Sequence, residues 1–287
     1  MDLVNGTPAS PYPSASVLML RDAANGLEVF LLKRHGLSEV LGGAYVFPGG
    51  KLDHDDVLLV DRLDQPAVAL SNALGEPELD EMHGAALYVA AIREAFEEAG
   101  VLFAAIGQDG VSSAQTLHRA GGTFRAVVEG LGTPLAAASL LPWSRWVTPL
   151  NSVRARKHFD ARFFVAAVPQ DQEPAHDRYE TTESIWLAPA AALREYWDGR
   201  IELAAPQIMS LTQLARFATV AEVFADARGR KPPRIQPEAF QEGGVNMVCY
   251  PGDPRHSVSG RVLPGPTRLC WRNDRYEPEG GLESLLG

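Results

Sequence analysis

The sequence predicts an α/β fold, a mixed sheet sandwiched between helices. Three observations predict it. Stretches with strand character lie on both sides of one long helical segment, Glu81–Ala99. That segment carries Leu87, Val89, Ala91, Ile92, Ala95 and Phe96 at helical spacing, which makes a broad face for burial. Further helical stretches follow the last of the central strands, so both faces of a sheet can be covered.

Taken in order, residues 1–14 are rich in Pro and Ser and read as an extended N-terminal arm. Residues 16–20 and 28–34 read as strands joined by a hairpin turn at Asn25-Gly26. Residues 37–43 form a loop, and a short strand then runs into Phe47. Gly49 and Gly50 allow a backbone turn that a Cβ would hinder. Residues 52–80 are acidic, broken by Pro66 and Pro77, and read as a surface excursion with some helix. In the long helix, Ala90 and Ala91 are small enough for close approach to a sheet, and Gly100 marks its end.

Residues 115–131 read as one or two helices, broken at Gly121-Gly122, within a cap spanning about 104–140. Strands are expected at 145–148, 162–168 and 183–187, helices at 190–197 and 206–226, and a Pro/Arg-rich linker at 229–237. Three short extended pieces, 246–250, 257–263 and 268–271, follow between Pro-Gly turns. The main domain is thus expected at 15–200. Residues 201–287 would form a C-terminal extension of helices and short strands packed on it.

Composition narrows the function classes. The chain has 287 residues, 46% apolar and 22% charged, which suits a globular enzyme. No apolar run is long enough to span a bilayer, so no membrane association is expected. The N-terminus lacks a basic region followed by an apolar stretch, so no secretory signal is expected. Cys249 and Cys270 are too few for a disulfide scaffold and lack metal-site spacing. Two unpaired thiols in a reducing cytoplasm are the expectation. The net charge of −10 argues against nucleic acid as a partner. It also means that an anionic substrate would need a metal or local cations.

The chemistry concentrates at the end of the long helix. Glu94, Glu97 and Glu98 crowd its last turn. Glu94 and Glu98 repel across one face, and all three oppose the helix macrodipole. Each violation costs from a few tenths to about 1 kcal/mol. A bound divalent cation would remove that penalty; a solvated acidic helix end is the plainer alternative. Residues four apart share a face, so Glu94 and Glu98 can point at one ion cluster, with Glu97 beside them. Carboxylates suit Mg²⁺ or Mn²⁺, and no Cys/His pattern supports zinc. Arg93 can bridge to Glu97 or contact a phosphate directly.

The run Arg93-Glu94-Ala95-Phe96-Glu97-Glu98-Ala99-Gly100-Val101 resembles the second half of the Nudix box, Gly-x5-Glu-x7-Arg-Glu-U-x-Glu-Glu-x-Gly-U, where U is bulky and apolar. Phe47-Pro48-Gly49-Gly50-Lys51 resembles the entry to the same box. Forty-two residues separate Gly50 from Arg93, where the family pattern has thirteen. The first box acid falls on Asp56 counted from Gly50 and on Ala85 counted back from Arg93; Asp56 or Asp53 stands for it here. A box interrupted in this way resembles the acyl-coenzyme A diphosphatase branch of the Nudix hydrolases.

The resemblance implies a Nudix-type α/β/α sandwich with an insertion at about 52–80. It also implies a hydrolase that cleaves a diphosphate bond with Mg²⁺ or Mn²⁺. Glu94 and Glu98 are then metal ligands, Glu97 a third ligand or the group that activates water, and Arg93 the residue that orients them. A further acid after the box is expected at Glu180 or Glu183, with Glu183 preferred. Gly49 and Gly50 would shape a phosphate-binding loop.

Leu31-Leu32-Lys33-Arg34 and Gly43–Gly50 partly fit a patch found upstream of the box in coenzyme A diphosphatases, which makes Arg34 a substrate-binding candidate. The basic cluster Arg154, Arg156, Lys157, His158 and Arg162 could hold the extra phosphate of coenzyme A, or be a solvated loop. Of these, Arg156, Lys157 and Arg162 are taken as substrate-binding. The expected reaction converts coenzyme A or acyl-CoA to 3′,5′-ADP and (acyl-)phosphopantetheine. ADP-ribose, NADH or a modified nucleotide is the alternative substrate. A non-catalytic nucleotide sensor is the alternative class, and retention of all three glutamates argues against it. A homodimer is the assembly the resemblance allows.

Overall fold

A computed structural model describes residues 3–4, 7–8, 10–38, 41–149, 157–177 and 180–287. A short antiparallel pair, β1 (Leu3–Val4) and β2 (Thr7–Pro8), precedes the first long strand, β3 (Tyr12–Ala23). β3 and β4 (Gly26–Arg34) form the expected hairpin, and both strands are longer than their apolar runs suggested. They pair only near the turn, from Leu20↔Val29 to Ala23↔Gly26. Beyond that the sheet forks. β5 (Tyr45–Val46) pairs with the far half of β4, and β6 (Gly49–Lys51) pairs with the far half of β3. The Phe47-Pro48 peptide is pinned in the fork by the Val17 N–H donating to the Pro48 carbonyl, 2.9 Å.

Next come α1 (His54–Leu58), a 3₁₀ turn (Val60–Arg62), α2 (Ala67–Leu74) and α3 (Glu81–Ala99). α3 has the bounds its spacing predicts. Asp80 caps its start by accepting from the N–H groups of Met82 and His83, and Gly100 ends it at φ 71°. Then follow α4 (Gln108–Arg119), α5 (Phe124–Gly130), β7 (Leu141–Val147), β8 (Phe159–Ala167), β9 (Thr181–Leu187) and α6 (Pro189–Trp197). The C-terminal part holds α7 (Ala205–Leu214), α8 (Val220–Gly229), β10 (Arg234–Ile235), β11 (Glu238–Glu242), β12 (Val245–Cys249), β13 (Arg268–Arg272), β14 (Arg275–Glu277) and α9 (Glu283–Leu286).

The main sheet runs β10-β7-β8-β3-β4-β5, with β9 on the other edge of β4. It is mixed: β3 is parallel to β8 and antiparallel to β4. Alternation along the strands divides the core in two. Val17, Met19, Phe30, Leu32, Phe164 and Ala166 pack toward α3. Leu18, Leu20, Val29, Leu31, Phe163 and Val165 pack toward α6, α7, α8 and the small sheet β11–β14.

Several expectations are corrected here. The insertion carries the expected helix but is more than a surface excursion: Leu59, Val60, Leu70 and Leu74 join the core over α3. α2 crosses α3 so closely that a Cβ on Gly84 would lie 2.4 Å from Ser71 Oγ. The single helix expected at 206–226 is two. Thr219 accepts from the Glu222 N–H while Glu222 accepts from the Ala218 N–H, a reciprocal start signal that the apolar periodicity concealed. The Ala218 carbonyl also accepts from the Leu27 N–H, docking the hairpin at the break. The expected linker contains β10, which pairs in parallel with β7 inside the main sheet. Among the described residues, 257–263 form no strand, whereas β11 and β14 complete a four-stranded antiparallel sheet.

Candidate active site

The fork brings the backbone of β6 against the last turn of α3. Gly49 donates its N–H to Glu98 Oε2 at 3.0 Å. A Cβ on Gly50 would lie 2.2 Å from Glu94 Oε1, and one on Gly49 would lie 2.3 Å from Ser16 Oγ and 2.5 Å from the Ala15 carbonyl. Only glycine permits both approaches. The two box ends, distant in sequence, therefore meet as backbone against carboxylate.

Arg93 is the hub of the acidic cluster. Its Nε and Nη2 grip Asp56 at 2.8 and 3.0 Å, Nη2 also donates to the Lys51 carbonyl at 2.8 Å, and Nη1 donates to Glu94 at 2.7 Å and Glu97 at 3.0 Å. Asp56 is fully buried and also accepts from the Asp53 N–H at 2.8 Å, starting α1. Of the candidates for the first box acid, Asp56 is the one that meets Arg93. Ala85 lies in the apolar core, and exposed Asp53 only approaches Arg93 at 4.0 Å. The insertion starts with α1, so it begins by delivering the acid that holds Arg93.

Four carboxylates surround one guanidinium. Burial raises the Glu94 carboxyl to a pKa of about 7; Arg93 opposes the rise, and Glu97 and Asp56 add to it. Burial raises Glu98 to about 8, reinforced by the Glu94 charge and opposed by the Gly49 N–H and Arg34. Glu98 is 4% exposed, while the Glu97 side chain is 29% exposed and can meet water. Hard oxygen donors, buried and short of positive charge, fit Mg²⁺ or Mn²⁺. As placed, no three acids among the described residues form a ready metal cluster; Glu94, Glu97 and Glu98 are the donors that would close on such an ion.

On the opposite face of the sheet, a pocket of about 870 Å³ opens from the fork. Gly49 and Gly50 form one part of its wall. Trp146, Phe159 and Phe163 line it from the main sheet, and Trp271 and Tyr276 from the small one. Arg34 and Lys157 also line it. Neither the insertion, 52–80, nor the cap segment, 104–140, contributes to the wall; both cover α3 instead.

Three binding or catalytic expectations move. Arg162 is buried in an ion pair with Glu76, 3.0 Å from Nε, and donates to the Asp160 carbonyl, so it is committed to structure. Glu183 lies directly opposite Lys33, its carboxylate 3.4 Å from Nζ, on the face that carries Tyr45 rather than α3. Glu180, at the start of β9, is the post-box acid whose charge reaches Glu98, and it stands 3.9 Å from Arg34. Arg154 and Arg156 lie outside the described residues. Strand parity carried the signal for Glu183, because position 183 shares its phase with Ile185 and Leu187, which face the second core, and not with Trp186, which faces the α3 side.

A Glu-rich helix end against a Gly-Gly strand, on a forked mixed sheet between helices, defines the class of Nudix hydrolases. The fold matches the crystal structure of a Nudix hydrolase from Alicyclobacillus acidocaldarius with a TM-score of 0.62 at 24% identity, over 76% of this chain and 97% of that one. The model of the NUDT19 Nudix domain matches residues 65–214, and the chain belongs to that family.

Among curated relatives, "Putative nudix hydrolase 7" of Caenorhabditis elegans is 27% identical, over 98% of this chain and 91% of that protein. Acyl-coenzyme A diphosphatase NUDT19 of Xenopus laevis is 27% identical over 68% of this chain, and the human protein of that name 26% over 72%. The chain spans under two thirds of these two vertebrate proteins, 62% and 65%. No helix among the described residues is long and apolar enough to cross a membrane.

Proposed function

We propose that this chain hydrolyses coenzyme A or acyl-CoA to 3′,5′-ADP and (acyl-)phosphopantetheine with Mg²⁺ or Mn²⁺. The observation that carries the reading is that Gly49 and Gly50, which meet Glu98 and Glu94, also form part of the wall of the aromatic-lined pocket. A diphosphate lying at the fork can face the carboxylate-bound ion while its organic arm enters the pocket. The names of the vertebrate relatives support the same substrate class.

Bound there, the ion would neutralise diphosphate charge and acidify a water molecule. Arg93 holds Glu94 and Glu97 in place, and Gly49 fixes Glu98 through its N–H. Glu97, the most exposed of the three glutamates, is positioned to take a proton from water. Arg34 lines the pocket beside Glu180, and in this reading it would meet a phosphate oxygen.

The test is a panel of coenzyme A, acyl-CoA, ADP-ribose and NADH with Mg²⁺ or Mn²⁺, with products identified by mass spectrometry. Release of 3′,5′-ADP from coenzyme A or acyl-CoA in preference to cleavage of ADP-ribose and NADH is the expected result. Equal cleavage of ADP-ribose would remove the substrate preference. Absence of cleavage of any diphosphate would remove the enzymatic reading.

A further inference from the structure

A second cavity, of about 560 Å³, lies where the C-terminal ends of α7 and α8 meet the segment 261–265 that precedes β13. It shares no wall residue with the aromatic-lined pocket. The chain carries a net charge of −10, yet Arg216, Arg230, Lys231 and Arg261 line this cavity against a single acid, Asp226.

Part of that charge has a structural use. Two helix C-termini converge here, and each carries about half a negative charge that a nearby cation offsets. Arg230 stacks over the Trp143 ring at 4.4 Å, pairs with Asp226 at 2.6 Å and donates to the Trp143 carbonyl at 3.0 Å. Arg261 donates to the Leu263 carbonyl at 2.9 Å and to the Gly265 carbonyl. Both guanidinium groups are thereby fixed, and Arg261 meets only neutral partners. The side chains of Arg216 and Lys231 have no hydrogen-bond or ion-pair partner among the described residues. Gly287 approaches Arg216 without an ion pair. Asp226 offsets one of the four charges and the two helix ends about one more, so the wall keeps a positive surplus.

Gln213 supplies an independent observation. It sits in the last turn of α7, is 8% exposed, and lines the same cavity. Its side-chain amide has no hydrogen-bond partner among the described residues, yet it is not sealed from solvent. A largely buried amide left unpaired is costly, and a group entering the cavity would satisfy it. A phosphate group carries about −1.5 to −2 charges at neutral pH and accepts several hydrogen bonds. Guanidinium groups, an ammonium and an amide N–H around one cavity match it in charge and in donors. Phe217 and Val262 add an apolar stretch to the wall.

We propose that this cavity binds a phosphate-class dianion, with Arg216, Lys231 and Gln213 as its contacts and Arg261 as a fixed charge beside them. The site is separate from the box and does not depend on the coenzyme A reading.

The test is calorimetric titration of the full chain with inorganic phosphate and with phenyl phosphate, in metal-free buffer of low salt, where the glutamates of the box repel anions. Wild type should bind phosphate. The Arg216→Glu/Lys231→Glu variant should bind it at least about tenfold more weakly, with a melting temperature near wild type because both residues are exposed. Gln213→Leu should weaken binding about three- to tenfold. Arg119→Glu/Arg125→Glu makes the same charge change on α4 and α5, across the sheet, and should leave affinity unchanged. Tighter binding of phenyl phosphate than of phosphate would support the site with a monoester as its ligand, and equal binding would support it with free phosphate. Absence of binding by wild type overturns the proposal. Equal weakening in the cavity and control variants overturns it too, because bulk charge would then suffice. Affinity unchanged in both cavity variants would place the anion elsewhere and has the same consequence.

Discussion

Two clusters of buried charge flank the same sheet, and they differ in balance. At the box, Arg93 holds Asp56, Glu94 and Glu97, while Glu98 beyond them has the Gly49 N–H and the charge of Arg34. At the other, Arg145 and Arg162 share Glu76 and Asp160, with exposed Glu78 at the rim. Each takes an acid from the insertion, Asp56 in one and Glu76 in the other. Burial pushes carboxyls up in both places, with opposite outcomes. Asp160 ends below the ordinary carboxylate range because hydrogen bonds from Arg145 and the charges of both arginines outweigh burial. Glu94 and Glu98 end at about 7 and about 8 because burial outweighs what Arg93 does for the first and what the Gly49 N–H and Arg34 do for the second. The balanced cluster is complete as it stands. The unbalanced one is where the proposed reading seats a cation.

The largest expected effect falls on turnover. Glu98→Gln removes a proposed ligand yet leaves a buried amide that can still accept from Gly49. Activity should fall on the order of 10³-fold, with a melting temperature equal to or above wild type at pH 8. A mere structural role for Glu98 predicts the reverse pattern, lost stability and kept turnover, readable from mass spectrometry beside thermal melts.

Breaking the two hubs should separate them further. Arg93→Ala strands fully buried Asp56 and should cost about 3–5 kcal/mol in denaturant unfolding. Arg162→Ala should cost less, about 1–3 kcal/mol, because Arg145 still reaches Glu76 at 2.7 Å. Its turnover per folded molecule should be unchanged. A loss of turnover in Arg162→Ala matching that of Arg93→Ala would erase the distinction between the clusters.

Gly50→Ala probes the contact at the fork. Its Cβ would displace the Glu94 carboxylate, so Mg²⁺ affinity should drop about tenfold, with a stability cost of about 1–3 kcal/mol. Unaltered Mg²⁺ binding by calorimetry would mean that Glu94 is no ligand.

The smallest effect is the pH dependence. Glu94 and Glu98 hold protons in the folded state that the unfolded chain has already released between about pH 4.5 and 8. Metal-free stability should therefore decline as pH rises through that window. Ion binding needs the deprotonated forms, so Mg²⁺ should raise the melting temperature more at pH 8.5 than at pH 6. Equal metal shifts at both values would contradict the raised carboxyls.

Local patterns carried much of this molecule into view. Helical spacing from Glu81 to Ala99, ended by Gly100, defined α3, and the box motif marked Glu94, Glu97 and Glu98 for one chemistry. Glycines at 49 and 50 announced a close approach without naming what approached. These features are legible because periodicity, caps and motif spacing involve residues within a few positions of one another.

Tertiary structure alone decided the rest, because it depended on contacts between residues far apart in the chain. Asp56 could not be told from Asp53 or Ala85 until α1 folded against Arg93, 37 residues on. Arg162 looked like a free cation until Glu76 arrived from the insertion. Glu183 and Glu180 differ by little in sequence, and strand parity sends the first away from the box helix. The pocket wall, drawn from residues as distant as Arg34 and Tyr276, exists only once the small sheet packs on the main one. A sequence specifies local geometry directly, whereas which buried charges meet is set by the whole chain's effort to leave none unpaired.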